Sequence, residues 1–385
     1  MKTIAFFTTT RAEFGILSPF IREIAKSERF DYLLFVGGAH LTQAQGKTLN
    51  EIKEMGFYPQ DYFPFSPKET SKHEIAASLA EEGKTLIKLF ETHAFDYVCL
   101  LGDRIELLPI VQTSIVFKKP IIHLHGGEIT EGAIDEQVRH MITKAAHIHF
   151  VAGQMYADNL MRMGEEKWRI FNTGALAVDN MCKIPIKEKA LLFNTYGLNP
   201  KKKMALLTFH PVTLENKISH VEQLNRVFWA LDKTDLQIMI TAPNLDEEGD
   251  ILRKMILRKV DGIKYFYTPS LGMKNYLSFL KHSELVIGNS SSGIIEAPFF
   301  KTPTINIGKR QSGRYKHCSV IDVDNDSELI YKAINQAFSK TFQEKLINMH
   351  YEFGDGNVAE NMHKALVLLQ NKKDLLIKKL NYNAK

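Results

Sequence analysis

The sequence predicts an α/β protein made of two doubly wound domains, and three observations carry that prediction. Short apolar runs, of the kind that fill strands buried on both faces, alternate with amphipathic stretches. The alternation stops and restarts near residue 200, so the chain holds two blocks of similar size. The length of 385 residues fits two domains at ~100–200 residues each.

In the first block, residues 4–8 read as a buried strand and residues 14–25 as a helix with apolar side chains three and four apart. A strand over 32–36, a long helix over 71–90 and strands over 97–101, 120–124 and 147–151 follow. In the second block, strands are expected at 204–208, 236–241, 285–288 and 304–307, with a helix over 221–231. Gly174 and Pro185 interrupt the pattern between the blocks. The expected division is 1–180, 181–357 and a terminal segment 358–385, helical over about 358–380, that packs back on the first domain.

Composition narrows the function. The chain is 44% hydrophobic and 24% charged, ordinary for a protein with a real core. A net charge of +5, not clustered, suits an anionic small substrate and speaks against a nucleic-acid partner. The run Lys201-Lys202-Lys203 reads as a solvated loop, with a phosphate contact as the alternative. Cys99, Cys182 and Cys318 lie far apart, with neither metal-ligand spacing nor a disulfide framework. The apolar stretch 4–7 is too short for a secretory signal, and no run nears the ~20 residues that span a bilayer. A cytoplasmic enzyme without a membrane partner is therefore expected, with a homodimer or higher homo-oligomer as the default assembly.

Ligands of open α/β sheets bind outside the carboxyl ends of the strands. Those ends here carry Thr10-Arg11, His40, Asp103-Arg104, His125 to Glu128, His210 and Ser290 to Ser292. Ser290-Ser291-Ser292-Gly293 joins a strand to a helix, where small residues and free N–H groups favour a phosphate. A plain serine N-cap is the other reading. Glu296, one turn on, is placed to accept from ribose hydroxyls, or is an exposed helix carboxylate. Arg11, Arg104, Arg310 and Arg314 are diphosphate clamps by type, each with a surface role as the alternative. Asp103, Glu128 and Asp135, with His125 and His210, form an acid–base set, although Asp135 also suits a helix cap. His40 meets either substrate or a core carbonyl. His123 and His140 read as structural. Metal-ligand spacing, G-x-G-x-x-G and the P-loop pattern are all missing, so neither a metal nor a dinucleotide cofactor is expected.

These motifs together resemble the hydrolysing UDP-N-acetylglucosamine 2-epimerase family. The likeness runs in order through Thr10-Arg11-Ala12-Glu13-Phe14-Gly15, Gly38-Ala39-His40, Leu101-Gly102-Asp103-Arg104, His123-Leu124-His125-Gly126-Gly127-Glu128 and Ile134-Asp135-Glu136-Gln137-Val138-Arg139-His140. It continues through Phe209-His210-Pro211-Val212-Thr213, Gly288-Asn289-Ser290-Ser291-Ser292-Gly293 and Asn306-Ile307-Gly308-Lys309-Arg310-Gln311-Ser312-Gly313-Arg314. The resemblance implies two Rossmann-like domains facing a cleft, as in glycosyltransferase-B folds. Sugar and catalytic loops then belong to 1–180 and UDP binding to 181–357.

The implied chemistry is anti elimination of UDP to a glycal, then hydration to free N-acetylmannosamine, with no cofactor. It serves sialic acid synthesis. By motif, Asp103, Asp135 and His210 match catalytic positions, and Arg104, Ser291, Glu296 and Arg310 match positions that hold UDP, with Arg139 and Arg314 beside them. Some family members read His-Ile-Glu-Gly-Gly-Glu where this chain has His125, which leaves His125 and Glu128 both open as the base. A coupled Asp103–His125 pair is the favoured reading. The same chemistry on a UDP- or GDP-linked 2,4-diacetamido-2,4,6-trideoxyhexose, for legionaminic-type sugars, is the alternative, and Thr130, Glu131 and Gly132 are the loop expected to differ. A non-hydrolysing epimerase, a glycosyltransferase and a nucleotide-sugar binding protein are weaker readings.

Overall fold

The computed structural model describes residues 1–41, 48–65, 71–130, 134–210, 218–243, 247–370, 372 and 374–381. Glu131, Gly132, Pro211, Val212 and Thr213, singled out above, lie outside the described residues. The chain divides into two units. One comprises Met1–Glu128, Ala133–Asn180 and Glu352–Lys385, and the other Ile129–Gly132 and Met181–Tyr351.

Seven parallel strands build the first unit's sheet: β1 (Lys2–Thr8), β2 (Phe30–Gly37), β3 (Asp61–Phe63), β4 (Tyr97–Leu101), β5 (Ile121–Leu124), β6 (Ile148–Val151) and β7 (Ile170–Asn172). The crossovers are α1 (Arg11–Ala25), α2 (Thr48–Glu54), α3 (Lys72–Thr92), α4 (Leu108–Val116), α5 (Ile134–Ala145) and α6 (Gln154–Arg162). The strand order is β3-β2-β1-β4-β5-β6-β7. Ile4, Ala5, Phe6 and Phe7 of the central β1 are fully buried, because helices cover both faces of a parallel sheet. On one face Phe7 packs its ring against Phe35, Phe63 and Phe90.

The units divide within α7 (Ala177–Lys183), and α8 (Lys189–Thr195) follows. Six parallel strands form the second sheet: β8 (Met204–Thr208), β9 (Gln237–Thr241), β10 (Tyr265–Thr268), β11 (Leu285–Gly288), β12 (Thr304–Ile307) and β13 (Val320–Val323), in the order β10-β9-β8-β11-β12-β13. Its helices are α9 (His220–Asp232), α10 (Glu247–Lys259), α11 (Gly272–His282), α12 (Ser292–Phe299), α13 (Ser327–Ala337) and α14 (Lys340–Ile347). Ala205, Leu207, Ile238, Ile240, Ile287 and Ile305 form the centre of its core.

The chain then returns to the first unit as α15 (Val358–Leu369). Asp179 caps the start of α15, accepting from Val358 N at 2.8 Å and Ala359 N at 3.1 Å. His363 of α15 meets Ser27 Oγ, just after α1, at 2.8 Å.

Both sheets are doubly wound, so each has one point where the crossovers reverse: β1/β4 in the first and β8/β11 in the second. Such switch points open a crevice at the carboxyl ends of the strands.

Two expectations need correction. Strands β3, β7, β10 and β13, the four sheet edges, were not foreseen. An edge strand is short and half covered, so it lacks the continuous apolar run of a central strand; β13 reads only Val320-Ile321-Asp322-Val323. The terminal helix stops at Leu369 rather than near 380. The apolar spacing continues past that point, but the backbone there turns aside to bond Arg169, as described below. Among the described residues, no helix is long and apolar enough to cross a membrane.

Candidate active site

In the first unit the switch point is built from the ends of β1 and β4. Thr10 caps α1, and Glu13 closes the cap by accepting from Thr10 N at 3.0 Å and from Thr9 N and Oγ1 at 2.7 and 2.6 Å. Arg11 follows, half exposed, with Nε 2.7 Å from Glu51 of α2. An exposed pair of that kind holds little energy, so the guanidinium is free to exchange partners. His40 stands behind this loop. Its Nε2 meets Thr8 Oγ1 at 3.2 Å and its Nδ1 meets Thr48 Oγ1 at 2.9 Å, and burial pulls its pKa down to about 4. A neutral imidazole with both nitrogens engaged braces the wall of the crevice and has no ring atom left for substrate.

Asp103 leaves β4 after Gly102 and pairs with Arg139 of α5, not with His125. The Arg139 side chain is only 2% exposed, and its Nη1 also donates to Glu128 O at 2.8 Å and Glu136 Oε2 at 2.9 Å. It joins the Asp103 loop, the Glu128 loop and α5 into one piece. His123, as expected, is structural: Nε2 holds Gly102 O at 2.9 Å, Nδ1 meets Thr143 Oγ1 at 3.3 Å, and burial lowers its pKa to about 3.

His125 ends β5 at φ 64°, a left-handed conformation unusual for a residue with a Cβ. The next turn is as constrained. Gly127 lies at φ +78°, and a Cβ there would stand 2.5 Å from Tyr156 O. This geometry folds Glu128 back so that its Oε1 meets His125 Nδ1 at 2.5 Å. A carboxylate only accepts, so the hydrogen between the two lies on Nδ1, and Nε2 is the ring atom left over. That Nε2 is buried and has no hydrogen-bond partner. The two residues left open as the base therefore pair with each other, the imidazole held by a carboxylate three residues on.

Arg104 completes this half. Its Nε lies 2.6 Å from the buried Glu106. Burial works against its charge, but Glu106, Glu13 and Asp135 outweigh burial and hold it cationic. Asp135 sits in the first turn of α5, within electrostatic reach of that guanidinium.

In the second unit the switch point is built from β8 and β11. Gly288 lies at φ +132°, and a Cβ there would fall 1.9 Å from Thr208 O, so only glycine lets β11 pass. Asn289 then clamps the His210 backbone from both sides: Oδ1 accepts from His210 N at 2.7 Å and Nδ2 donates to His210 O at 2.8 Å. The Asn289 carbonyl in turn accepts from Arg310 Nη1 at 3.0 Å and Gln311 Nε2 at 2.9 Å. Burial, with the Arg310 charge beside it, lowers His210 to about 4 and keeps it neutral. Burial and the nearby Arg314 also lower the pKa of Arg310. Two guanidiniums so placed are strained electrostatically until an anion joins them.

Ser291 occupies the N-cap of α12, but its hydroxyl makes no cap bond. Ser290 Oγ serves instead, accepting from Ser292 N at 3.4 Å and Ser292 Oγ at 3.3 Å, and Tyr276 bonds the Ser292 hydroxyl. Glu296, one turn on, has a buried Oε2 without a partner; burial raises its pKa and Arg314 draws it back down. Among the described residues, no group of three or more His, Cys, Asp or Glu is disposed to hold a metal.

The family model for UDP-N-acetylglucosamine 2-epimerase matches residues 22–367. The chain belongs to that family. A UDP-N,N'-diacetylbacillosamine 2-epimerase (hydrolyzing) from Legionella pneumophila is 34% identical over 366 residues, 95% of this chain and 96% of that protein. A GDP/UDP-N,N'-diacetylbacillosamine 2-epimerase (hydrolyzing) from Campylobacter jejuni is 35% identical over 345 residues, 88% of this chain and 87% of that protein. The fold matches the UDP-GlcNAc 2-epimerase from Neisseria meningitidis bound to UDP-GlcNAc, with a TM-score of 0.81 at 18% identity over 96% of this chain and 100% of that one.

Several residues that shape the epimerase site were not singled out from sequence. Asn289 stood in a quoted motif with no role attached, and its amide is the natural candidate for a two-point backbone clamp. Gln311 stood beside Arg310 in the same way. Glu106 and Tyr276 carried no signal, because nothing in their spacing announces that they reach Arg104 and Ser292.

Proposed function

We propose that this epimerase is hydrolysing and acts on a UDP-linked 2,4-diacetamido-2,4,6-trideoxyglucose. A base takes the proton from C2 while the C1–O bond to the diphosphate breaks, leaving a C1–C2 double bond and UDP. Water then adds at C1 and a proton returns to C2 from the opposite face, releasing the free 2-epimer. The observation that carries the chemistry is the His125–Glu128 dyad, with an unpartnered Nε2 whose tautomer its own carboxylate sets. Asp135 beside Arg104 supplies the opposite acid, and Asp103, tied to Arg139, holds the loop between them. His210, kept neutral, donates to the departing diphosphate.

Nucleotide binding falls to the second unit in this reading. Arg310 and Arg314 take the diphosphate, Ser290 to Ser292 present hydroxyls and N–H groups, and Glu296 accepts from ribose. The choice of sugar rests on the two relatives above, each named for diacetylbacillosamine. They move the balance away from UDP-N-acetylglucosamine, the first expectation from sequence. A direct competition tests it: kcat/KM for UDP release is measured with the UDP-diacetamido sugar, its GDP form and UDP-N-acetylglucosamine. The proposal expects the first to exceed the last by at least ~10-fold, the scale of one recognised polar substituent. Preference for UDP-N-acetylglucosamine would return the sialic acid reading.

A further inference from the structure

The segment that follows α15 is held by charges more than by apolar burial. Leu375 is buried, but Leu376, Ile377 and Leu380 stand 46%, 58% and 46% exposed. Arg169, fully buried, donates Nη1 to Leu375 O at 2.8 Å and Nη2 to Ile377 O at 2.6 Å. Asn381 N reaches Gly164 O at 2.9 Å. Arg169 and Lys372 both stand over the Trp168 ring, at 4.1 and 3.4 Å from its centroid.

Between these anchors Lys378 turns inward. Its Nζ lies 2.8 Å from Glu165 Oε2, and it donates to Lys144 O at 2.8 Å, to Ala146 O and, at 3.4 Å, to Thr143 O. Thr143 O and Lys144 O lie in the last turn of α5 and Ala146 O just beyond it; Thr143 O also takes Ala146 N at 3.2 Å, and the ammonium adds a donor to all three and complements the helix dipole. Glu165 is 1% exposed and also takes Lys144 Nζ at 2.6 Å and His149 Nε2 at 3.2 Å. Burial alone would raise its pKa, but these donors hold it near 2. A carboxylate buried on such terms is stable only while its cations stay.

The first turn of α5 carries Asp135 and Glu136, and Arg139, at mid-helix, bonds Glu136 and pairs with Asp103. The near end is tied to the same loop, since Thr143 Oγ1 meets His123, and His123 holds Gly102 O. Helix α5 is thus tied to the Asp103 loop at its middle and at its last turn, and Lys378 pins that last turn.

We propose that Lys378 is a positioning residue, and that residues 375–381 are the clasp that delivers it to the end of α5. Its kinetic consequence rests on the proposed acid–base roles of His125 and Asp135 and on Asp103 holding the loop between them; the mechanical claim does not.

The test uses the full chain with Lys378→Met, which keeps the stem and removes the charge, and Lys378→Arg. Active sites are counted by UDP binding, so loss of folded protein does not pass for loss of rate. Lys378→Met is expected to lower kcat per site by ~10- to 100-fold, the scale of a small misplacement of reacting groups, with KM within ~3-fold. Lys378→Arg restores kcat to within ~3-fold of the parent, and faster amide exchange in Lys378→Met is confined to α5 and residues 375–381. Should Lys378→Met fail to fold, Thr143→Val breaks the link to His123 without burying a charge and is expected to show the same kcat-only loss. Unchanged kcat per site, no rescue by arginine, or exchange that rises uniformly over the unit overturns the proposal. If the parent turns over no nucleotide sugar, the functional reading fails, and exchange in α5 still decides the clasp.

Discussion

The two switch points solve different problems with the same topology. At β1/β4 the charged side chains bond one another: Arg139 joins Asp103 to Glu136 and to the Glu128 backbone, and Glu128 orients His125. Two buried atoms there, His125 Nε2 and Glu13 Oε1, are left without a partner. At β8/β11 the side chains bond backbone instead: Asn289 grips His210, and Arg310 and Gln311 grip Asn289. What is left there includes unpartnered oxygens of Glu296 and Gln311 and two mutually repelling arginines. A closely bonded network that leaves an imidazole nitrogen unpartnered suits proton transfer, which needs fixed geometry. A backbone frame with an acceptor and two cations in excess suits a ligand that brings its own hydroxyls and negative charge. The first region should therefore control kcat and the second nucleotide affinity.

The largest effect is expected from the dyad. His125→Asn should cut kcat by ~10²–10⁴-fold, the usual worth of a general base, while calorimetry finds the Kd for UDP unchanged. Turnover within ~10-fold of the parent would remove His125 from the reaction. Asp103→Asn comes next, at ~10²-fold in kcat, the cost of a small misplacement of reacting groups, with the fold and UDP affinity kept. A normal rate in that variant would make the Asp103–Arg139 pair structural only. Arg310→Ala tests the other region. It should weaken UDP binding by ~10- to 100-fold, the worth of a charge-assisted contact, and leave kcat at saturation nearly intact. If Arg310→Ala instead lowers kcat at unchanged UDP affinity, the division of labour between the two regions is lost.

The smallest effect concerns stability. Glu82 of α3 is fully buried, neither oxygen has a partner, and burial beside Glu106 raises its pKa to about 9. Between the ordinary carboxylate pKa of 4.5 and about 9, the folded chain holds a proton that the unfolded chain has lost. Stability therefore falls as pH rises through that window. Glu82→Gln should raise Tm by a few degrees at pH 8, on the scale of ~2–4 °C per kcal/mol, and by less at pH 5.5. A Tm gap that does not widen with pH would mean that Glu82 is ionised in the folded state.

Central strands were legible because an unbroken apolar run ending in a polar motif has few other readings. β4, β8, β11 and β12 stand where the run lengths placed them. Edge strands such as β3, reading Asp61-Tyr62-Phe63, carry no such run and take their identity from the neighbour they pair with. The site was legible in residue type and order, but not in partnership. His125 joins Glu128 rather than Asp103 because of a backbone φ of 64°, which no spacing reveals. His40 and Arg139 have the chemistry of ligands, yet their partners Thr48 and Glu136 sit on helices whose docking only the fold decides. Glu82 reads from sequence as one more acidic residue on a polar helix; the packing of α3 turns it inward.

The most direct test of the central claim is proton NMR of the reaction in D₂O with the UDP-linked 2,4-diacetamido-2,4,6-trideoxyglucose. The account expects UDP and a free 2-epimerised sugar carrying one deuterium at C2, since elimination removes that proton and solvent returns another. An epimer still joined to UDP, or a released sugar that keeps its original C2 hydrogen, would contradict it.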